Sequence, residues 1–237
     1  IDIVLAASQT SLDDFTIAFW MNPTDVNDFG RAFEKANGAT SEIFWAFDST
    51  WKFSARWTGT SGDWSVTKPS TGVWAHWIVT YSWSATTNDP VIYKNGVSQS
   101  ITEDSTPVGL KATTGTLLRL GANNPVGSPI TLGSLNGKLA EFAMWNRILN
   151  PEEANGIGKG YSPLFYKNGL VLYTPLIGRT SPEVELKLGS NGAVTGATAS
   201  DHPYVIYPTA ELMRRFTTAA AAAATNRFYR TLMGVGV

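Results

Sequence analysis

The hydrophobic positions of this chain fall into short runs that turn-forming residues interrupt. The runs are rich in Val, Ile, Phe, Trp, Tyr and Thr, and Gly, Asn, Asp and Pro separate them. Short strands that recur in this way predict an all-β sandwich or barrel. Seven runs are predicted as strands: residues 15–22, 43–47, 51–57, 76–83, 91–94, 116–121 and 137–145.

Two of these runs differ in pattern, and together they indicate two layers of sheet. Residues 16–21 are apolar nearly throughout, which predicts a strand buried on both faces. Residues 52–57 alternate between polar and apolar side chains, which predicts a strand exposed on one face. Between two further strand-like segments, Asn95-Gly96 predicts a tight hairpin, because both residues tolerate the positive φ angles of a type I′ turn.

Helical signals are few before the C-terminus. Asn150 followed by Pro151 and two acidic residues predicts a short helix that Gly156 and Gly158 end. The glycine-rich segment 156–160 is interpreted as a loop, because it lacks the setting of a phosphate-binding loop. From Thr209 onward, a helical pattern runs into six alanines. The sequence therefore predicts a sandwich over residues 1–202 and a helical C-terminal arm over residues 203–237.

Composition narrows the range of functions. Of the 237 residues 43% are hydrophobic and 16% are charged, so a core can form. The formal net charge is −1, and it divides into −4 for residues 1–202 and +3 for residues 203–237. A chain with no strong overall field is not expected to bind nucleic acid. The alanine run is too short and too weakly apolar for a membrane span.

The chemistry of common active sites is sparse. There are no cysteines, which excludes disulfides, thiolate metal sites and cysteine nucleophiles. Of the two histidines, His76 lies among aromatic residues and is interpreted as a structural histidine with its hydrogen bonds satisfied. His202 precedes Pro203 in a segment predicted to be an exposed linker. No nucleophile motif lies near either histidine, so an enzyme is not expected.

Several segments, taken in order, resemble the laminin-G-like branch of the concanavalin-A-like lectin and glucanase superfamily. The resemblance extends from residue 1 to about residue 198, and the segment from Leu135 to Glu153 matches the closing strand and helix of the family best. It implies a jelly-roll sandwich of two antiparallel sheets, which hosts glycan binding, adhesion or hydrolysis in different branches. The other matching segments are residues 15–23, 74–81, 93–97 and 118–121.

The resemblance also suggests two tests of chemistry. Hydrolases of the superfamily carry three carboxylates along one strand, and this chain has no such triplet. The nearest pair, Glu183 and Glu185, is interpreted as a solvated strand or turn. Calcium is the one cofactor left open: Ala140 stands where the family often has Asp, but Asn88 and Asp89 are candidate oxygen ligands.

Glycan binding is the chemistry that the remaining residues favour, because sugar rings stack on aromatic faces and their hydroxyl groups need polar partners. The nine tryptophans divide into two groups. Those on the motif strands are predicted to be core residues: Trp20, Trp45, Trp74, Trp77 and Trp145. The predicted glycan-binding residues are Trp57, Asp63, Trp64, Trp83, Asn123 and Asn124.

The C-terminal arm has a possible docking role. An apolar stripe flanked by arginines predicts a helix that docks on a larger assembly or forms a homo-oligomer; a frayed tail is the alternative. The stretch 192–198 followed by a short tail resembles modules of phage structural and cell-surface proteins. The predicted docking residues are Leu212, Arg214, Arg215, Phe216, Arg227 and Arg230.

The sequence as a whole favours a non-enzymatic, lectin-like binding module. It is expected to recognise glycans or a host surface, outside the cell or on a virion, as part of a larger assembly. The alternative is a purely structural capsid, tail or filament decoration protein that makes only protein contacts. Exposure of Trp57, Trp64 and Trp83 would favour the first reading, because stacking on a sugar requires a free ring face.

Overall fold

The computed structural model describes residues 1–26, 30–47, 49–122, 133–178 and 181–208. Its helical segments are α1 (Ala7–Thr10), α2 (Pro151–Gly158) and a 3-10 turn (Pro163–Phe165). Its strands are β1 (Asp2–Val4), β2 (Asp14–Pro23), β3 (Gly30–Asn37), β4 (Thr40–Phe47), β5 (Trp51–Ala55), β6 (Gly62–Val66), β7 (Ala75–Ser82), β8 (Val91–Lys94), β9 (Val97–Ser98), β10 (Thr102–Ser105), β11 (Leu117–Leu120), β12 (Gly133–Ser134), β13 (Gly137–Trp145) and β14 (Leu170–Thr174).

The strands form two sheets that pack face to face. The larger sheet has the order β1-β11-β3-β4-β5-β6-β10, with β12 paired parallel to β3. The smaller sheet has the order β14-β13-β2-β7-β8-β9, and all of its pairs are antiparallel. The predicted all-β sandwich of two antiparallel sheets is confirmed. Within the described residues, the helices are too short or too polar to cross a membrane.

The space between the sheets is filled mainly by aromatic rings. Phe19 on the smaller sheet meets Trp45 and Phe33 on the larger one, with ring centroids 5.5 and 5.8 Å apart. Trp51 and Trp77 lie against Trp45 and are also fully buried. Large rings suit this position because two packed sheets lie about 10 Å apart, and side chains from both must fill the gap.

A second core covers part of the outer face of the smaller sheet. Ala18 and Ala143, which are partners in the β2–β13 register, lie here with the apolar side of α2, including Ala154 and Ile157. Strand β2 is therefore buried on both faces, as residues 16–21 predicted, except at Trp20, which is half-buried. The small alanine side chains let the covering elements approach the sheet closely.

The short helix α2 forms where the sequence predicts it. The Asn150 side chain accepts a hydrogen bond from the Glu153 amide, and Glu153 caps Asn150 in return. The helix runs through Gly156 and ends at Gly158, so the interpretation of 156–160 as a loop is wrong. Glycine is required for contact, since a Cβ on Gly158 would lie 2.1 Å from the backbone nitrogen of Gly96.

The Asn95-Gly96 hairpin is confirmed. Lys94 pairs with Val97 across the turn, and both turn residues have positive φ angles of 50° and 79°. The Asn95 side chain also accepts a hydrogen bond of 2.8 Å from the amide of His76, which fixes the hairpin on the neighbouring strand. The tip of the hairpin thus supplies the surface on which α2 rests.

Strand β3 contains charged residues, and the sequence pattern did not predict it. Lys35 is fully buried and donates to the carbonyl of Thr10 at 2.7 Å and to Glu42 on β4. Glu42, also buried, accepts from the Gly115 amide at 2.5 Å and pairs with Lys111 at 2.7 Å. A buried charge of each sign is tolerated here because each is paired and hydrogen-bonded.

Part of the predicted arm lies against the sandwich. The Ile206 amide donates to Gly160, and its carbonyl accepts from Ser162, at 2.8 and 2.9 Å. The segment from Pro203 to Tyr207 therefore packs with the sandwich rather than with a separate arm. The predicted docking residues, from Leu212 to Arg230, lie outside the described residues.

Replacing Lys35 should reveal how strongly the buried pair supports the fold. Lys35→Met leaves the Glu42 carboxylate buried with less compensation, so we expect the free energy of unfolding to fall by about 3 kcal/mol. Urea denaturation followed by tryptophan fluorescence measures this change.

Lys111→Met is the matched control, because Lys111 pairs with the same carboxylate but keeps 20% of its side chain exposed. We expect a loss of at most about 1 kcal/mol for that variant. Equal losses for the two variants would contradict the assignment of the buried lysine as the dominant partner.

Candidate functional site

The three tryptophans predicted to stack on a sugar are buried. Trp64 is 0% exposed, and Trp57 and Trp83 are each 7% exposed. They surround Tyr81, which lies 5.3 Å from Trp64 and 5.4 Å from Trp83 between ring centroids. Trp64 lies on strand β6, whose register directs its side chain into the core. The exposure on which the stacking prediction rested is therefore contradicted.

The polar residues predicted beside these rings have other contacts. Asp63 lies on the outer face of the larger sheet, where it accepts from Ser54 and pairs with Lys52 at 3.7 Å. Asp89 accepts a hydrogen bond of 2.8 Å from the Trp64 indole, and the Asn88 amide donates within its own turn. These contacts fix the residues in the fold rather than around a ligand.

Asn88 and Asp89 do not make a calcium site by themselves. Calcium takes six to eight oxygen ligands, usually with several carboxylates. In the described part of the chain, no group of three or more acidic or histidine side chains comes close enough to hold a metal ion. Calcium binding stays a prediction. Asn123 and Asn124, the remaining predicted sugar ligands, lie outside the described residues.

Two of the predicted core tryptophans keep part of their rings accessible. Trp20 and Trp74 are half-buried, whereas the other seven tryptophans are buried. Trp20 is the register partner of His76, and Trp74 lies two residues before His76, so period-two alternation places all three on one face. This is the outer face of the smaller sheet, and Trp20 and Trp74 lie outside the second core. The prediction that Trp20 and Trp74 are core residues is wrong.

An ion pair completes this surface. Asp201 pairs with Lys138 on β13 and also accepts a hydrogen bond of 3.1 Å from the Trp74 indole. The hydrogen bonds from Lys138, Ser200 and Trp74 hold the pKa of Asp201 well below its usual value. Asp201 is therefore a carboxylate at neutral pH, with both oxygens directed at neighbouring side chains. We call Trp20, Trp74, Lys138 and Asp201 the Trp20–Trp74 patch.

The patch borders a groove of about 910 Å³. Lys138 and Asp201 belong to both, and Thr24 and Asn136 add polar groups to the groove. The groove continues along the segment 194–201 to Gly121 and Ala122, the residues that immediately precede the predicted Asn123–Asn124 pair. Many of its lining residues are small or polar, so backbone groups are available to a ligand alongside side chains.

A buried carboxylate holds the segment that carries Asp201. Glu141 is 1% exposed and accepts a hydrogen bond of 2.6 Å from the Tyr173 hydroxyl and another from the Tyr207 hydroxyl. His202 approaches it at 3.3 Å. The residue next to Asp201 is thereby fixed to β13, and His202 does not lie in the exposed linker that the sequence predicted.

The two histidines have opposite electrostatic surroundings. Burial lowers the pKa of His76 to about 3, so its ring is neutral, and its Nδ1 has no hydrogen-bond partner among the described residues. Burial also lowers the pKa of His202, but Glu141 and the carbonyls of Pro203 and Pro175 outweigh it and raise the pKa above its usual value. His76 is structural, as predicted, but it is not fully satisfied.

Glu183 and Glu185 are not solvated, contrary to the sequence interpretation. Both are 3% exposed. The Glu185 carboxylate accepts from the amides of Leu188 and Gly189 at 2.6 and 2.8 Å, and Glu183 accepts from Gly178 at 3.2 Å. Burial raises the pKa of Glu183. Both carboxylates hold loop backbone in place, and Glu183 also lines the groove.

Comparison with known families agrees with this architecture. The laminin G model described as the concanavalin A-like lectin/glucanases superfamily matches residues 2–155, which is more than half of the chain. The chain belongs to this superfamily. The resemblance identified from the strand motifs is thereby confirmed. No curated protein shows significant sequence similarity to the chain.

Solved structures show the same superfamily fold at low sequence identity. A protein of Bacteroides ovatus, described as a candidate carbohydrate-binding protein, is 17% identical, with a TM-score of 0.60 over 86% of this chain. This chain covers 59% of that protein, less than two thirds of its length.

Two further matches have lower TM-scores. A heptameric pentraxin of Limulus polyphemus is 14% identical, with a TM-score of 0.47 over 63% of this chain and 71% of its own. The CBM40 domain of a Ruminococcus gnavus sialidase is 12% identical, with a TM-score of 0.45 over 62% of this chain and 84% of its own.

The pH dependence of stability tests the two histidine environments. Because His76 protonates at about pH 6.5 only when unfolded, stability should fall toward acid pH, with a limiting slope of about 1.4 kcal/mol per pH unit. The contribution of His202 is fully present below about pH 6.5 and is lost as the pH rises through its raised folded pKa. We expect the melting temperature to peak near pH 6.5.

Single substitutions separate the two effects in thermal melts from about pH 5.5 to 8.5. His76→Asn should flatten the acid side of the curve, and His202→Gln should flatten the alkaline side. A variant that leaves its own side of the curve unchanged would contradict the environment assigned to that histidine.

Proposed function

We propose that the protein is a non-catalytic, lectin-like module that binds glycans at the Trp20–Trp74 patch and the adjoining groove. The observation that supports it is the juxtaposition of the two accessible tryptophan rings with the Lys138–Asp201 ion pair at the edge of a groove. The residues differ from those that the sequence favoured. The chemistry is the same, with aromatic faces beside groups that can bind hydroxyls.

The patch matches the two kinds of surface on a sugar. The apolar face of a pyranose ring can stack on Trp20 or Trp74, whose rings already have polar neighbours at their edges. Lys138 donates hydrogen bonds and Asp201 accepts them, so together they can serve hydroxyl groups, which do both. The groove volume of about 910 Å³ lies within the range of small-molecule sites and has room for more than one sugar unit.

The contacts of the carboxylates favour a binding role over a catalytic one. Glycoside hydrolysis requires two carboxyl groups that face the scissile bond. Of the two carboxylates that line the groove, Glu183 accepts hydrogen bonds from backbone amides, and Asp201 is held by Lys138 and Trp74. The family contains both lectins and glucanases, and the Bacteroides ovatus protein with the same fold is described as a candidate carbohydrate-binding protein.

Display on a larger assembly is a further part of the proposal. The +3 charge of residues 203–237 suits attachment to an acidic surface of a virion or another extracellular particle. The docking residues that would mediate attachment lie outside the described residues. Location outside the cell and homo-oligomerisation through the arm stay predictions with it.

Replacing Trp74 tests the glycan site. A glycan array identifies a ligand, and calorimetry then compares the variants. Trp74→Ala should weaken binding roughly 10- to 30-fold, since the loss of one stacking ring costs about 1.5–2 kcal/mol. Trp74→Phe should retain most of the affinity, because it keeps an aromatic face. No turnover of the bound glycan is expected.

Phe165→Ala is the matched surface control. Phe165 is 45% exposed and packs edge-to-face on Tyr161, away from the groove. Its removal should leave the affinity unchanged. If Trp74→Ala and Trp20→Ala bind as tightly as the unmodified chain, or if the glycan is hydrolysed, the proposed function is wrong.

A further inference from the structure

The outer face of the larger sheet carries a second set of polar side chains. Both helices pack on the smaller sheet, so they leave this face uncovered. Phe44 pairs with Glu34 on one side and Ser54 on the other, and alternation places all three opposite the core residues Trp45 and Phe53. An apolar ring thus lies in the middle of a polar sheet face.

Two arginines cover that ring. The guanidinium of Arg31 lies 4.1 Å from the centroid of Phe44, and the guanidinium of Arg56 lies 5.0 Å from it. The ring is only 5% exposed, although no other layer of secondary structure packs on this side of the sheet among the described elements. The arginines therefore provide the cover and are held close to each other by the same aromatic face.

The two guanidinium groups are unequally compensated. Arg31 pairs with the buried carboxylate of Glu34 and donates to the Ser41 hydroxyl at 3.4 Å. Arg56 donates to the Ser61 hydroxyl at 3.1 Å, and among the described residues it has no carboxylate partner. Burial, with the charge of Arg56 as a smaller contribution, lowers the pKa of Arg31, which Glu34 opposes.

The neighbouring cation on this face is already compensated by a carboxylate. Lys52, the next cation on this face, pairs with Asp63 at 3.7 Å, and Ser54 also donates to Asp63. Arg56 is thus the cation of this cluster without a carboxylate partner among the described residues. A monoanionic group beside Arg56 would balance the charge, and guanidinium groups bind carboxylates through paired hydrogen bonds.

We propose that Arg31, Phe44 and Arg56 form a second binding site, which takes the carboxylate of an acidic sugar. Arg56 supplies the main ion pair, Arg31 adds charge, and the Ser61 hydroxyl offers a hydrogen bond to a neighbouring hydroxyl group, since the Ser41 hydroxyl already donates to Glu34. That a sugar carries the carboxylate rests on the proposed function; that the site takes an oxyanion rests on the geometry alone. The site lies on the opposite face of the sandwich from the Trp20–Trp74 patch.

Calorimetry with matched ligands tests this site in the full chain. The probes are oligosaccharides of galacturonate, glucuronate and sialate, each with its neutral methyl ester, and inorganic sulfate alone. At least one acid should bind about 10-fold more tightly than its ester, as expected for a charge-assisted hydrogen bond. Arg56→Gln should abolish that difference without changing the affinity for the ester.

Arg119→Gln is the matched control. Arg119 lies on the same sheet and loses the same charge, but Asp2 holds it in a two-point ion pair at 2.6 and 2.7 Å. It should keep the preference for the acid, and circular dichroism should show that both variants are folded. Equal losses for Arg56→Gln and Arg119→Gln, or no acid bound more tightly than its ester, would overturn the proposal.

The remaining outcomes separate this inference from the proposed function. Sulfate that binds as tightly as the acidic sugars, and depends equally on Arg56, would overturn the assignment to a sugar. If Trp74→Ala leaves the affinity for the neutral esters unchanged while Arg56→Gln removes the preference for acid, the proposed site at Trp74 fails and the arginine site stands. If Trp74→Ala removes the preference and Arg56→Gln does not, the arginine site is wrong.

Discussion

The architecture depends on the burial of β2 and β13 on both faces. On the inner face, Phe19 and its neighbours fill the gap between the sheets. On the outer face, Ala18 and Ala143 are small enough for α2 and the following chain to pack against the sheet. One pair further along this face, Ala140 is still buried but its partner Trp20 is only half-buried. Beyond this point the same strands carry Lys138 and border the groove, so the limit of the second core sets the position of the candidate site.

The buried residue Glu141 links the end of the second core to the groove. It lies at a bulge in β13 with a φ angle of 56°, a backbone conformation that non-glycine residues seldom adopt. A buried carboxylate is costly unless donors surround it, and Tyr173, Tyr207 and His202 do so. Two of these donors belong to the segment after Asp201. The interactions that stabilise the buried charge of Glu141 therefore also place Asp201 beside Lys138. Glu141 thus determines the position of a surface residue without being at the surface itself.

The predicted strands and turns were found where local chemistry is enough to specify them, as in the Asn95-Gly96 hairpin and the cap at Asn150. Strand β3 was missed because Lys35 looks like a surface residue until pairing with β4 places Glu42 beside it. Glu34 looks like one too, although it pairs with Arg31 of the same strand. The roles of the tryptophans were reversed for a related reason. Period-two alternation predicts that Trp74 and His76 lie on the same face of the sheet. It does not predict whether other elements cover that face, because this depends on contacts between residues distant in sequence.

The large number of tryptophans follows from the fold rather than from ligand binding. The ring centroids of Trp45, Trp51 and Trp77 lie 5.2 to 5.8 Å from one another. In the described structure, none of their indole N–H groups has a hydrogen-bond partner. An unpaired buried donor costs about 1–3 kcal/mol, so these rings are retained for the area they bury and the edge-to-face contacts they make. Trp74 differs, since its N–H is bonded to Asp201 at the surface. A polar partner alone does not mark a surface ring, because the buried indoles of Trp57, Trp64 and Trp145 have one as well. What distinguishes Trp74 is that its partner, Asp201, is itself exposed.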